Sequence, residues 1–240
     1  MGWQTQGDGR RSLETVRHGY TNATDQVGSL VIKTYAGPEA ARRAEVERLA
    51  LTRLAGRLPV PAVLPVQSGP PGRRSSASLT AEFVPGRHGQ DLIAGGFARE
   101  VLIGCGQVLR RLHSIEPTAL FDHADDEVIV HGDFGPNNVL FAPAGFAVAA
   151  VLDWEFCHLG DRLEDLAWCE WIVRAHHPGA VPELPSLFQS YGWTPPWTER
   201  KRFMVQRCGS LEQFCRDWDA GGSGVRTWNE RGRQAAAWPE

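Results

Sequence analysis

The stretch His131-Gly132-Asp133-Phe134-Gly135-Pro136-Asn137-Asn138 sets an acid and an amide just ahead of the apolar run Val139-Leu140-Phe141. A second apolar run, Val148 to Leu152, ends in Asp153-Trp154-Glu155. An acid, an amide and a second acid at the ends of two short strands offer hard oxygen ligands of the kind Mg²⁺ takes. Asp133 is then the candidate base or hydroxyl-orienting group, with Asn138 and Asp153 the candidate metal ligands. That set suits phosphoryl transfer, which needs in-line positioning, neutralised phosphate charge and a carboxylate near the attacking hydroxyl. Taken singly, each of these residues is also an ordinary turn former. It is the spacing of the whole set that favours chemistry. His131 is expected to hydrogen-bond the local backbone and fix the loop, and Pro136 and Asn137 to shape its turn.

Such a site needs elements that bring a nucleotide to it. Lys33 sits inside the strand-like Leu30-Val31-Ile32-Lys33-Thr34-Tyr35, where a lysine can reach phosphates. The spacing of Val46, Leu49, Ala50, Arg53 and Leu54 predicts a helix over 38–55, opened by Pro38 and stopped by Gly56. Its Glu47, with Glu45 as the alternative, is the expected partner of Lys33. Before the strand, the tract from His18 to Ser29 is rich in small and turn-forming residues. It predicts a hairpin whose N–H groups face phosphate, with Asn22 among the nucleotide-binding residues. Strands are predicted over 63–67 and 79–84, with a loop over 69–76. Glu82-Phe83-Val84-Pro85-Gly86 then links a small first lobe, 1–84, to a larger second one, 85–240. The backbone of Glu82 and Val84 is the candidate adenine contact.

Further on, Val101, Leu102, Cys105, Val108, Leu109 and Leu112 repeat at helical spacing and predict a core helix over 97–115, with His113 as a structural histidine. Helices are also predicted over 164–175, 184–191 and 199–218. In the acidic tract, Asp161 is expected to cap a helix and Asp165 to brace the catalytic loop from behind. The Gly-rich start of 221–240 suggests a flexible link and short tail, and residues 1–12 suggest disorder.

Composition bounds the rest. The chain has 240 residues, 42% of them hydrophobic and 22% charged, in the range of one domain or two lobes with a real core. No apolar stretch approaches the ~20 residues needed to span a membrane, and no leader-like segment is apparent, so a cytoplasmic location without a membrane partner is expected. The five cysteines form no CxxC pair and are expected to be free thiols. Residues 1–111 carry 15 Lys/Arg against 9 Asp/Glu, and residues 112–240 carry 10 against 19. A basic first part suits nucleotide phosphate rather than nucleic acid, and an acidic second part suits metal or a cationic substrate. Six acids and one base lie between 153 and 170, and seven of nine tryptophans lie at or after Trp168. That lining suggests a cationic, hydroxylated acceptor, with Glu170, Trp171 and Glu212 as candidate contacts.

The motifs HGDFGPNNVLF at 131–141 and VLDWEFCHLGDRLEDLAW at 151–168 resemble the aminoglycoside phosphotransferase and choline kinase-like superfamily of small-molecule kinases. Agreement in order extends over roughly 19–172. The resemblance implies an α+β, protein-kinase-like fold of two lobes: a small antiparallel sheet with one helix, then a mainly helical lobe. It also implies ATP and Mg²⁺, with Asp133 as base, Asn138 and Asp153 on the metal, and Lys33 with Glu47 anchoring the phosphates. One departure is that the nucleotide loop lacks the usual glycine pattern. Two other readings stay open on sequence: a catalytically inactive nucleotide-binding pseudokinase, and a metallohydrolase using His131, Asp133, Asp153 and His158.

Overall fold

A computed structural model describes residues 14–15, 22–64, 77–122 and 126–240. The first part is a four-stranded antiparallel sheet in the order β1-β2-β3-β4, formed by Glu14–Thr15, Ala23–Val27, Leu30–Thr34 and Ser78–Glu82. A two-residue loop, Gly28-Ser29, joins β2 to β3, with Val27 opposite Leu30. Of the segment expected to form a strand over 63–67, Val63 makes a single antiparallel bridge to Ala81, and residues from 65 on lie outside the described part. The loop expected over 69–76 and the start of the phosphate-facing tract, 18–21, also lie outside it, as do residues 1–12.

Helix α1, Ala40–Leu54, is rich in Ala, Arg, Glu and Leu, all strong helix formers. Arg43, Glu47, Ala50 and Leu54 recur every three or four residues, so one face is buried throughout. The apolar end of that face joins the core, and its charged end meets β3.

After β4 the chain crosses to the helical part. Strand β5, Arg87–His88, leaves the first sheet and pairs with β7, Val139–Phe141, which pairs in turn with β8, Val148–Val151. Between them lie α2 (Gly89–Ala94), α3 (Ala98–Leu112) and β6 (Val128–Val130). All six apolar residues that predict α3 are buried along it. Strand β9, His158–Gly160, pairs with β6. Helices α4 (Arg162–His176), α5 (Leu184–Tyr191), α6 (Trp197–Trp218) and α7 (Ser223–Ala237) complete the chain.

The last of these corrects the expectation of a flexible tail over 221–240. Gly221 to Gly224 suggested a linker, but the Arg-, Glu-, Gln- and Ala-rich residues after them favour helix, and α7 packs against α6. The approach is close: a Cβ on Gly224 would lie 2.8 Å from Cys215 Sγ, so a larger residue there would have to displace that side chain. Ala235 is buried in a second apolar cluster with Trp168, Trp171, Met204 and Cys208. All five cysteines are free thiols, four of them buried. No helix among the described residues is long and apolar enough to cross a membrane.

Candidate active site

Two short strands deliver the catalytic loop. After β6 the chain turns at Gly132, whose φ is 81°, and a Cβ there would meet the Phe156 carbonyl at 2.4 Å. Glycine is therefore required for the turn. Two side chains, Asp165 and His131, hold the loop, and a third, His113, backs Asp165. Asp165 of α4 accepts from the backbone N–H of His131 at 2.8 Å and of Gly132 at 3.0 Å. Its Oδ2 also lies 3.1 Å from His113 Nε2, whose other ring nitrogen meets the Tyr191 hydroxyl. Burial alone would raise the Asp165 carboxyl, but the hydrogen bond and charge of His113 hold it below the usual carboxylate value. His131 Nδ1 accepts from the Asp133 N–H, which leaves Nε2 to donate to the Leu152 carbonyl at 2.9 Å. The expected support by His131 and brace by Asp165 are thus both present, and Asp161 caps α4 in a reciprocal capping box with Glu164.

Both oxygens of Asp133 are engaged. Trp168 Nε1 donates to Oδ1 at 2.7 Å, and Asn138 Nδ2 donates to Oδ2 at 3.2 Å and to the Asp133 carbonyl at 2.8 Å. Burial, followed by the nearby charge of Asp153, pushes the Asp133 carboxyl up. With its amide nitrogen turned to Asp133, Asn138 keeps its side-chain oxygen available as a ligand. The backbone carbonyl of Asn138 accepts from Leu152, which ties the loop to the strand end carrying Asp153.

Asp153 has a φ of 66°, a left-handed conformation that costs a non-glycine residue about 1–3 kcal/mol. Lys33 holds it there. Lys33 Nζ lies 2.5 Å from Asp153 Oδ1, 2.6 Å from Glu47 Oε2 and 3.9 Å from Glu155 Oε2. Burial would lower this lysine, yet the three surrounding carboxylates keep it well above the usual range. Glu47 is therefore the partner of Lys33, whereas Glu45 pairs with Arg48 on the surface. Tyr35 also donates to Glu47, at 2.5 Å.

Glu155 gathers a second network. It accepts from Arg43 Nη1 at 2.8 Å and from Asn22 Nδ2 at 2.8 Å, which joins the sheet and α1 to the strand end beyond Asp153. Burial and the charge of Asp153 raise its carboxyl to about 7. Asn22, expected among the nucleotide contacts, sits at the edge of this cleft with its oxygen accepting from the Ala36 N–H. At the link between the lobes, the Glu82 N–H is taken by the Ala62 carbonyl and the Glu82 side chain accepts from the Ala62 N–H. Phe83 bonds Ser29, and Val84 follows outside any regular element.

The donor set fits Mg²⁺. Asn138 and Asp153 supply hard oxygens from adjoining backbone, and Glu47, Asp153 and Glu155 place carboxylate oxygens within 4.8 Å of one another. Those three carboxylates also surround Lys33, and the His131, Asp133, Asp153 and His158 set of a metallohydrolase does not form a ligand cluster among the described residues. His158 instead pairs with Glu164, at 3.2 Å.

The three residues expected to contact the acceptor are engaged within the chain. Glu170 is buried against Arg174 and Arg200, and Glu212 bonds Arg216 and Asn229. Trp171 is buried and stacks on Trp168 with ring centroids 4.4 Å apart.

Trp168, Arg43 and Glu155 are parts of the site that sequence reasoning left without a role. Trp168 follows Asp165 by three positions on a helix, so both face the loop. Arg43 precedes Glu47 by four, on the same face of α1.

A buried lysine–glutamate pair faces a strained aspartate and a braced Asp–Asn loop, in a fold of a small antiparallel sheet followed by a mainly helical part. The chain belongs to the phosphotransferase enzyme family, whose sequence model matches residues 12–124 and 116–202. Among solved structures it is similar to the GDP complex of wild-type aminoglycoside 2'-phosphotransferase-IIIa, with a TM-score of 0.71 at 14% identity over 94% of this chain and 92% of that one. It is also similar to a choline/ethanolamine kinase family protein from Mesorhizobium loti, with a TM-score of 0.65 at 17% identity over 95% and 89% of the two chains. Identities this low speak for the fold alone. Among curated proteins, human acyl-CoA dehydrogenase family member 11 is 31% identical over 98 residues, 41% of this chain but 12% of that protein's length.

Proposed function

We propose that this protein is an ATP-dependent kinase that transfers the γ-phosphoryl group to a hydroxyl of a small molecule. The observation that carries the reading is Lys33, held between Glu47 and Asp153 across the cleft from the Asp133–Asn138 loop. In this reading the lobes meet near residue 84. The Glu82 carbonyl and Val84 N–H face the adenine, Asn22 closes the cleft through Glu155, and Lys33 with Glu47 positions the phosphates. Asn138 and Asp153 would hold Mg²⁺, which supplies charge neutralisation for the phosphates. Asp133 accepts or orients the acceptor hydroxyl, with Trp168 fixing its carboxylate and His131 fixing its backbone.

A cationic aminoglycoside or amino alcohol is the acceptor suggested by the acids of 153–170. Each of those six is engaged within the chain: Asp153 by Lys33, Glu155 by Arg43, Asp165 by His113 and backbone, and Glu170 by Arg174 and Arg200. Asp161 and Glu164 cap α4. What remains supported is a small hydroxylated acceptor, and its charge has to be sought in other residues.

The test is Mg²⁺-dependent ATP consumption across a panel of cationic, neutral and anionic hydroxylated compounds, with product mass as the readout. A product heavier by one phosphoryl group is expected. Nucleotide binding with no transfer to any compound would favour a pseudokinase.

The pH profile offers a second check. Because burial raises Asp133, the acid limb of kcat/KM should lie above the ordinary carboxylate range. The Trp168 hydrogen bond opposes that rise, so Trp168→Phe should move the limb to still higher pH. An unmoved or lowered limb would remove Asp133 as the titrating base.

A further inference from the structure

A cavity of about 190 Å³ opens beside the catalytic loop, lined in part by Gly132, His158, Trp168, Phe203, Gln206 and Arg207. Gly132 directly precedes Asp133, and Trp168 donates to the Asp133 carboxylate, so the cavity borders the reacting carboxyl. Arg207 of α6 is unusual among the arginines packed around the site. Arg43 bonds Glu155, and Arg200 bonds Glu170. The Nε and Nη2 atoms of Arg207 have almost no accessible surface and no hydrogen-bond partner among the described residues, so an anion in the cavity meets them when the side chain turns toward it. Its guanidinium lies 5.0 Å from the centre of the Phe156 ring and 5.8 Å from that of Trp168, which holds the group by its faces.

A buried donor of this kind costs free energy unless something supplies the acceptor. The nearby acids already have other partners. Glu164 is taken by His158 and the Asp161 N–H, Asp165 by His113 and two backbone N–H groups, and Asp133 by Trp168 and Asn138. A planar guanidinium fork matches carboxylate and phosphate oxygens two at a time.

We infer that the acceptor is an anionic hydroxylated molecule whose carboxylate or phosphate group is received by Arg207 while its hydroxyl faces Asp133. The inference rests on the kinase reading and names the substrate class for the same site. It replaces the cationic acceptor suggested by the acid-rich tract. Burial also lowers Arg207 below the usual guanidinium range despite the fields of Asp133, Glu164 and Asp165, in line with a cation short of counter-charge.

The test measures binding, so it needs no turnover. Calorimetry or ligand-observed NMR at pH 7 would compare 3-hydroxybutyrate with 3-hydroxybutyramide, and glycerol 3-phosphate with glycerol, with an amino alcohol as the cationic arm. At least one anion should bind tenfold or more tighter than its neutral counterpart, and which one does so distinguishes carboxylate from phosphate. Arg207→Met, which keeps an apolar stem of similar length, should reduce the preference to twofold or less, and Arg207→Lys should restore part of it. If Arg207→Met fails to fold, the wild-type comparison decides alone. Equal binding of neutral or cationic compounds, no binding by any anion, or a preference that survives Arg207→Met overturns the inference. A role confined to offsetting the charge of Asp133 would give equal binding of anion and neutral partner. Transfer to cationic acceptors without anion preference would sink this inference and leave the kinase standing. Anion preference without any ATP consumption would leave Arg207 as an anion-binding group but remove the kinase reading, and with it the assignment of that anion as acceptor.

Discussion

Asp133→Ala is expected to abolish phosphoryl transfer while leaving nucleotide affinity within a few-fold of wild type. Losing a positioned base typically costs 10²–10⁴-fold in rate. Of the groups proposed to hold the nucleotide and its Mg²⁺, only Asn138 bonds Asp133, and its bond to the Asp133 backbone carbonyl survives the substitution. Stability should not suffer either. The Asp133 carboxyl is raised first by burial and then by the charge of Asp153, so its ionised form is held at a cost in the folded protein. Removing it relieves that cost, although the Trp168 N–H loses its acceptor. Single-turnover transfer from ATP, nucleotide titration and a thermal melt separate the three effects. Wild-type turnover in the variant, or a loss of nucleotide affinity as large as the loss of rate, would refute the assigned role.

The second large effect is structural. Asp165→Ala should lower stability by about 3–5 kcal/mol, since it strips a buried carboxylate from several donors at once. For a chain of this size that corresponds to a drop in Tm on the order of 10 °C. Asp165→Asn should be nearly as harmful. The carboxylate accepts from His131 N–H on one oxygen and Gly132 N–H on the other, and an amide can offer only one acceptor oxygen. Its NH₂ group would face a backbone N–H. A Tm for Asp165→Asn within a degree or two of wild type would show that the brace contributes little.

The pH dependence of this brace follows from the sign of its shift. The folded-state carboxyl lies below its usual value, so its stabilising contribution is present above the unfolded value and fades as pH falls through the folded one.

Much of the site was legible because its parts sit at short, fixed separations. Asp133 and Asn138 share one loop, and Glu47 lies on the face of α1 set by helical period. The α3 pattern was legible for the same reason, since a buried stripe repeats every three or four residues. Contacts that depend on distant packing were not legible. Nothing near Arg207 in sequence distinguishes it from the other arginines of α6. The acidic tract is hard to read from sequence because charge counts do not show which carboxylates are already paired, and here each has a partner. The tail misled because four glycine- and serine-rich residues outweighed the helix-forming stretch that follows. Strand 63–67 reduces to a single bridge at Val63 within the described residues.

The stacked tryptophans give the last helix a bearing on chemistry. Trp168 holds one oxygen of Asp133 and lies flat on Trp171, with an interplanar angle of 5°. Trp171 in turn meets Trp228 of α7, with ring centroids 5.6 Å apart, and Trp238 just beyond it, at 6.4 Å. The aim of the carboxylate is thus inherited through three rings from a helix that enters no part of the nucleotide cleft. Sheet, hinge and catalytic loop thus do not by themselves complete the setting of Asp133: the ring that holds its carboxylate is walled in part by α7.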